Sequence, residues 1–186
     1  MSTTELIAGA VAKSATVAEV LVGRGVLAEA GALFRRQFGE GPACIIADEN
    51  TWAAAGAAVQ ASLQAAGVTV RAHVLPGKPR LKPTVDLANS LRDVLALDAS
   101  VPVAVGSGVI NDVVKHAAFG LGRPFPVVVA WRARPDASPR YCFVLWPVFL
   151  VHGLGAGVGV SHQTGVHHVD CQRLFAAGAF FGDGPL

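Results

Sequence analysis

The sequence predicts an α/β fold: a mostly parallel, Rossmann-like sheet with helices on both faces, followed by an irregular Gly-rich C-terminal tail. Three observations carry this expectation. Apolar runs of strand length alternate with stretches of helical period from residue 19 to residue 130. Two of those runs, Ala43-Cys-Ile-Ile-Ala47 and Val101-Pro-Val-Ala-Val105, are apolar throughout, as strands covered on both faces are. After the second comes Gly106-Ser-Gly-Val-Ile-Asn-Asp112, a Gly-rich turn opening onto an amphipathic helix.

In chain order, Glu19-Val-Leu-Val22 is the first strand, closed by Gly23. A helix over 27–38 places Leu27, Ala30, Leu33, Phe34 and Phe38 on one face and stops at Gly39. The strand 43–47 ends on Asp48-Glu-Asn-Thr51, and an alanine-rich helix runs from Trp52 to Ala66 before Gly67. Residues 68–75 alternate and are rich in β-branched side chains, so they form the next strand. Pro76-Gly-Lys-Pro79 is a loop. Thr84 caps a helix reaching about Leu97, with Asp86 in its first turn and Val85, Ala88, Leu91 and Leu95 on its inner face. The strand 101–105 and the glycine turn follow, then a helix ended by Gly122 and Pro124. Phe125-Pro-Val-Val-Val-Ala130 is the last strand of the series. In such sheets ligands sit beyond the carboxyl ends of the strands. Asp48, the 76–79 loop and Gly106–Asp112 all fall there.

Composition narrows the class. Of 186 residues 52% are apolar and 15% charged, so the chain is neither disordered nor a coat for nucleic acid. Lys and Arg number 15 against 13 Asp and Glu, which predicts no polyanionic partner. Cys44, Cys142 and Cys171 are too scattered for a disulfide framework or a zinc motif, and Cys44 reads as a small core residue. The N-terminus has no basic segment before a long apolar run, so the expected location is cytoplasmic.

The glycine turn can serve as a phosphate cradle, because glycine lets the backbone approach an anion and the first helical N–H groups point at it. Asp48 has two readings: an acceptor for the ribose hydroxyls of an adenosine, or the cap of the next helix. The usual dinucleotide fingerprint places glycines first and the acid roughly 20 residues later. Here the acid comes two βα units earlier.

With that order, Val105-Gly-Ser-Gly-Val-Ile-Asn-Asp-Val-Val-Lys115, Gly122-Arg-Pro-Phe125 and Ala47-Asp-Glu-Asn-Thr-Trp52 resemble the NAD(P)-binding half of one family. It is the glycerol-1-phosphate dehydrogenase branch of the iron-containing alcohol dehydrogenase and 3-dehydroquinate synthase superfamily. The resemblance covers about residues 15–130. Dehydroquinate synthases, an alternative, usually carry three glycines and the Asp without the Asn and Lys. The resemblance implies that Gly106, Ser107, Gly108, Val109 and Ile110 hold the pyrophosphate of NAD or NADP. It also implies that Asp48 holds the adenine-side ribose and that Asp112, in the first helical turn, faces the nicotinamide. Lys115 would reach a ribose or phosphate, with a solvated surface role as the alternative. The implied reaction is hydride transfer between the cofactor and dihydroxyacetone phosphate, a small phosphorylated triose, with a divalent metal, usually zinc, polarising the carbonyl.

The tail departs from that pattern. Ala130-Trp-Arg-Ala-Arg-Pro-Asp-Ala-Ser138 lacks the family's Thr-Ala-x-Ser-x-Asp-Gly, and Asp136 is a chance match. We expect a boundary near 131, with 1–130 a cofactor-binding domain and 131–186 an atypical tail in place of the family's helical metal-binding domain. His162, His167, His168 and Cys171 have zinc-binding chemistry but neither zinc-finger nor His-x-x-x-His spacing, so no metal site and no catalytic residue is assigned. The stretch 141–160 has the length of a membrane span, but His152, Pro147 and four glycines make it a poor one. A segment rich in Arg, Gly, Ala and Val and free of Lys and Glu is also what an out-of-frame reading of a GC-rich gene gives; the same tail in close relatives would exclude that origin. The expected protein is therefore a truncated, cofactor-binding form of the dehydrogenase, or a nucleotide-binding fragment without catalysis. A truncated sheet edge near 130 would favour self-association, as a homo-oligomer or an aggregate.

Overall fold

The structure, a computed structural model, describes residues 3–13, 18–23, 25–131 and 140–146. Helix α1, Thr3–Ala12, lies outside the unit 15–150 that contains the sheet. Within that unit the chain runs β1 (Glu19–Gly23), a 3₁₀ turn (Val26–Glu29), α2 (Ala30–Phe38), β2 (Ala43–Asp48) and α3 (Glu49–Thr51). It continues through a π turn (Trp52–Gly56) into α4 (Ala57–Ala65), then β3 (Val70–Leu75), α5 (Val85–Leu95), β4 (Val101–Val105), α6 (Gly108–Gly120), β5 (Phe125–Trp131) and β6 (Arg140–Trp146).

The six strands lie in the order β1-β6-β5-β4-β2-β3. The four from β5 to β3 are mutually parallel, with Asp48 beside Leu75, Ile46 beside Ala104 and Val105 beside Val128. Strands β1 and β6 run antiparallel to their neighbours. The expected α/β class with a mostly parallel sheet is therefore the observed one.

Strand alternation divides the core into two layers. Ala43, Ile45, Ala47, Val103 and Val105 face α2 and α4 with Leu33, Phe34, Val59 and Leu63. Cys44, Ile46 and Ala104 face α5 and α6 with Leu91, Leu95, Ile110 and Val114. That is why β2 and β4 carry no alternation in sequence: both faces are covered. Burial pushes the Cys44 thiol up to about 11, against the lowering influence of Arg71, so it is an inert core residue.

The helices on the first face are held unusually close. Ser62 Oγ accepts from the Gly31 N–H at 3.0 Å and donates to the Ala28 carbonyl at 2.7 Å, joining α4 to α2 and the turn before it.

Several boundaries differ from expectation for local reasons. The helix expected from Trp52 starts at Glu49, because Asp48 and Thr51 form a reciprocal capping box. Its π turn brings Gly56 against the Trp52 indole, where a Cβ would come 2.5 Å from the ring. Val85 is 61% exposed, not on the inner face of α5, because it is the first residue after the Thr84 cap, outside the stripe Ala88, Leu91, Leu95. The same helix ends at Leu95, leaving Leu97 exposed. The sheet also runs past residue 131: Tyr-Cys-Phe-Val-Leu-Trp has strong strand propensity, and β6 inserts between β5 and β1.

At the amino ends of the strands, a polar cluster ties the elements together. Arg71 on β3 donates to both Asp98 oxygens and to Ser100 Oγ, and Arg123 donates to the carbonyls of Leu95 and Ser100. Hydrogen bonds from Arg71 first, and from Ser100, hold the Asp98 carboxyl well below its ordinary value of 3.8. A depressed folded pKa means that its contribution is complete above the unfolded value and is lost as pH falls below about 4. With its side chain 39% exposed, solvent screens the pair and the effect is modest. Chemical denaturation at about pH 6 and about pH 3 should therefore show a smaller acid loss for Asp98→Asn than for the parent chain. Equal losses would remove Asp98 from the acid limb.

Candidate functional site

Because β2, β3 and β4 are parallel neighbours, Asp48, Leu75 and Val105 end on one edge, and the segments after them meet there. The order across that edge is the glycine turn after β4, the acid after β2 and the loop after β3. This is the same adjacency of glycine strand and acid strand that ordinary dinucleotide folds use, reached by a different chain order.

Gly106 and Gly108 do different work. Gly106 is buried, its N–H donates to the Val128 carbonyl at 2.9 Å, and a Cβ there would come 2.7 Å from Ile110 Cγ1. It permits α6 to seat tightly against β4. Gly108 is the first residue of α6, and a Cβ there would meet nothing within 4 Å. Ser107 is the N-cap, yet its side chain makes no capping bond. The N–H groups of Gly108, Val109 and Ile110 have no partner within the helix. By contrast, α3 is capped by Asp48 and α5 by Thr84. An anion on α6 would meet free N–H groups, the positive end of the helix dipole and no obstructing side chain.

One turn further on, the buried Oδ1 of Asn111 has no hydrogen-bond partner among the described residues. An orphaned buried acceptor costs about 1–3 kcal/mol, and a bound N–H or O–H donor would satisfy it. Reading the sequence did not single out Asn111 as a site residue. The available signal was a polar side chain beside the apolar stripe Ile110, Val113, Val114 of a helix. Asp112 is the fifth residue of α6 and so falls in the second turn, not the first, because the helix begins at Gly108. It pairs with Lys115 at 3.4 Å, both partly exposed.

Asp48 is half-buried, and its Oδ1 accepts from the Thr51 N–H at 2.8 Å and the Thr51 hydroxyl at 3.1 Å. The capping role is thus realised, and Oδ2 is the oxygen left for a ligand. Its neighbour Glu49, which the sequence did not flag, accepts the Gly77 N–H through Oε2 at 3.0 Å. That bond fastens the loop after β3 to the end of β2. Gly106–Ile110 and Asp48 therefore share one edge, with Asp112 and Lys115 farther along α6. The described residues contain no group of three His, Cys, Asp or Glu side chains that would hold a metal ion. His152, His162, His167, His168, Cys171, Asp136 and the 147–160 stretch lie outside them, as does the rest of the tail except Trp131 and Arg140–Trp146. No helix among the described residues is long and apolar enough to cross a membrane.

Comparison with known proteins adds three findings. Residues 21–132 match the family model described as iron-containing alcohol dehydrogenase. No curated protein matches the sequence. Among solved structures, similar ones include glycerol dehydrogenase from Schizosaccharomyces pombe, at 24% identity and a TM-score of 0.48, covering 55% of this chain and 25% of that one. Another is aspartate aminotransferase from Trypanosoma cruzi, at 12% identity and a TM-score of 0.40, covering 68% and 43%. The chain thus spans less than half of either protein.

Proposed function

We propose, from the premise that this chain belongs to the iron-containing alcohol dehydrogenase family, that it binds a nicotinamide dinucleotide at the N-terminus of α6 and derives from the glycerol-1-phosphate dehydrogenase branch. The observation that carries the reading is the uncapped start of α6, with Gly108 facing open space beside the orphaned Asn111 oxygen. In it Gly108 to Ile110 hold the pyrophosphate through backbone N–H groups; the Gly106 N–H, expected to join them, is instead spent on the Val128 carbonyl, and Gly106 serves by seating α6 against β4. Asp48 offers Oδ2 to the adenine-side ribose, and the Asp112–Lys115 pair lies toward the nicotinamide.

The dinucleotide, when bound, supplies the hydride for reduction of dihydroxyacetone phosphate to glycerol 1-phosphate, or receives it in reverse. The residues of this chain bind and orient it. The described residues do not fit the family's divalent metal, since they hold no group of three His, Cys, Asp or Glu side chains that could ligate one. Hydride transfer without a polarised carbonyl forgoes several kcal/mol of transition-state stabilisation. To the described residues we therefore assign cofactor binding alone.

Calorimetric titration with NADH, then assay with dihydroxyacetone phosphate and added zinc, tests both parts. Saturable binding without turnover is the expected result. Absence of binding overturns the site, and turnover overturns the assignment of binding alone.

A further inference from the structure

We propose that the dinucleotide bound by this chain carries a 2′-phosphate, which Lys78, Arg80 and Lys82 recognise. The inference rests on the cofactor reading above and names the cofactor's class.

The sheet order supplies the geometry. A pyrophosphate on α6, after β4, directs its adenosine across the end of β2 and toward β3, because β2 is the strand between them. The ribose 2′ position therefore comes to the boundary between the Asp48–Thr51 turn and the loop after β3. At Gly77 that loop touches the turn: besides the Glu49 bond, a Cβ on Gly77 would lie 3.0 Å from Asn50 Nδ2. The next residues are Lys78-Pro-Arg-Leu-Lys82, three cations in five positions, all three exposed. None makes an ion pair among the described residues, whereas Arg35, Arg36, Arg71, Arg92 and Lys115 do.

Two acids share the boundary and set the opposing term. Asp48 favours a ribose hydroxyl and repels a 2′-phosphate when its carboxylate is free to reach that position. Here its Oδ1 is held by Thr51, and Glu49 Oε2 is held by the Gly77 N–H. One oxygen of each carboxylate is thus engaged by the protein, and Asp48 keeps Oδ2 for the 3′-hydroxyl of the same ribose. The loop adds three positive charges against these two negative ones, and a phosphate next to Arg or Lys gains charge-assisted hydrogen bonds.

The test is paired titration of the full chain with NADPH and NADH, repeated on the Lys78→Ala, Arg80→Ala, Lys82→Ala triple variant. The substitutions are on exposed loop positions, and circular dichroism checks that the fold is kept. NADPH should bind the parent at least about tenfold more tightly than NADH, and the triple variant should lose that margin while keeping its affinity for NADH. Equal binding, or tighter binding of NADH, overturns the proposal. So does a triple variant that weakens both cofactors alike, since the cations would then act on no particular phosphate. If neither cofactor binds the parent, the underlying cofactor reading itself fails, a result separable from the others.

Discussion

Gly31→Ala should destabilise the protein by about 3 kcal/mol or more, near the upper end of what overpacking costs. The added methyl would overlap the backbone carbonyl oxygen of Ser62 and lie 2.8 Å from Ala66 Cβ. Neither is the end of a flexible side chain, so α2 and α4 must move apart. That movement would stretch the Gly31–Ser62 hydrogen bond and open the layer containing Phe34, Val59 and Leu63. Alanine's better helix propensity returns about 1 kcal/mol at most. Urea denaturation reads the difference as a lower midpoint with unchanged slope. A midpoint equal to that of the parent chain would show that the helices already have room, and would sink the argument.

The second large effect separates two glycines only one residue apart. Gly106→Ala should cost about 2–3 kcal/mol of stability, because its methyl would lie 2.7 Å from Ile110 Cγ1 and 2.8 Å from Ile110 Cβ, both close to the backbone of α6. The first turn of α6 would have to lift from β4. Gly108→Ala should leave thermal stability unchanged or slightly raised, since the methyl meets nothing and alanine is the better helix former. Its dinucleotide affinity should nonetheless fall by about tenfold or more, because the methyl fills the approach to the helix N–H groups. Melting curves and titrations on the two variants give four numbers. Full affinity in a stable Gly108→Ala protein would place the cofactor elsewhere.

These contrasts also show what was legible in the sequence. Strands β2 and β4 could be read because burial on both faces leaves a local mark, an unbroken apolar run. The turn at 106–108 could be read because glycine after a strand and before a helix has few other uses. The separate duties of Gly106 and Gly108 could not, since they depend on where Ile110 packs. Gly31 looked like an ordinary small residue within a helix; its constraint comes from Ser62, which only tertiary packing brings close. Asp48 was legible as an acid at a strand end, but its two roles differ only in where one oxygen points. The spacing to Thr51 was the available hint of a cap. The Glu49–Gly77 bond and the cluster of Arg71, Asp98 and Ser100 join segments well apart in the chain, and no periodicity announces such pairs.

The insertion of β6 between β5 and β1 has a temporal meaning. Glu19 emerges early in synthesis, yet its partner Leu145 is made only after the whole parallel half of the sheet. Until then β1 has no strand to join, and β5 presents a bare edge. The parallel strands and their helices can assemble as the chain grows, while this edge remains a site for wrong pairing between chains. Closure by β6 is a long-range step, slow by the entropy of the loop it completes. Faithful folding of this protein thus depends on how long a half-finished sheet can wait without finding another partner.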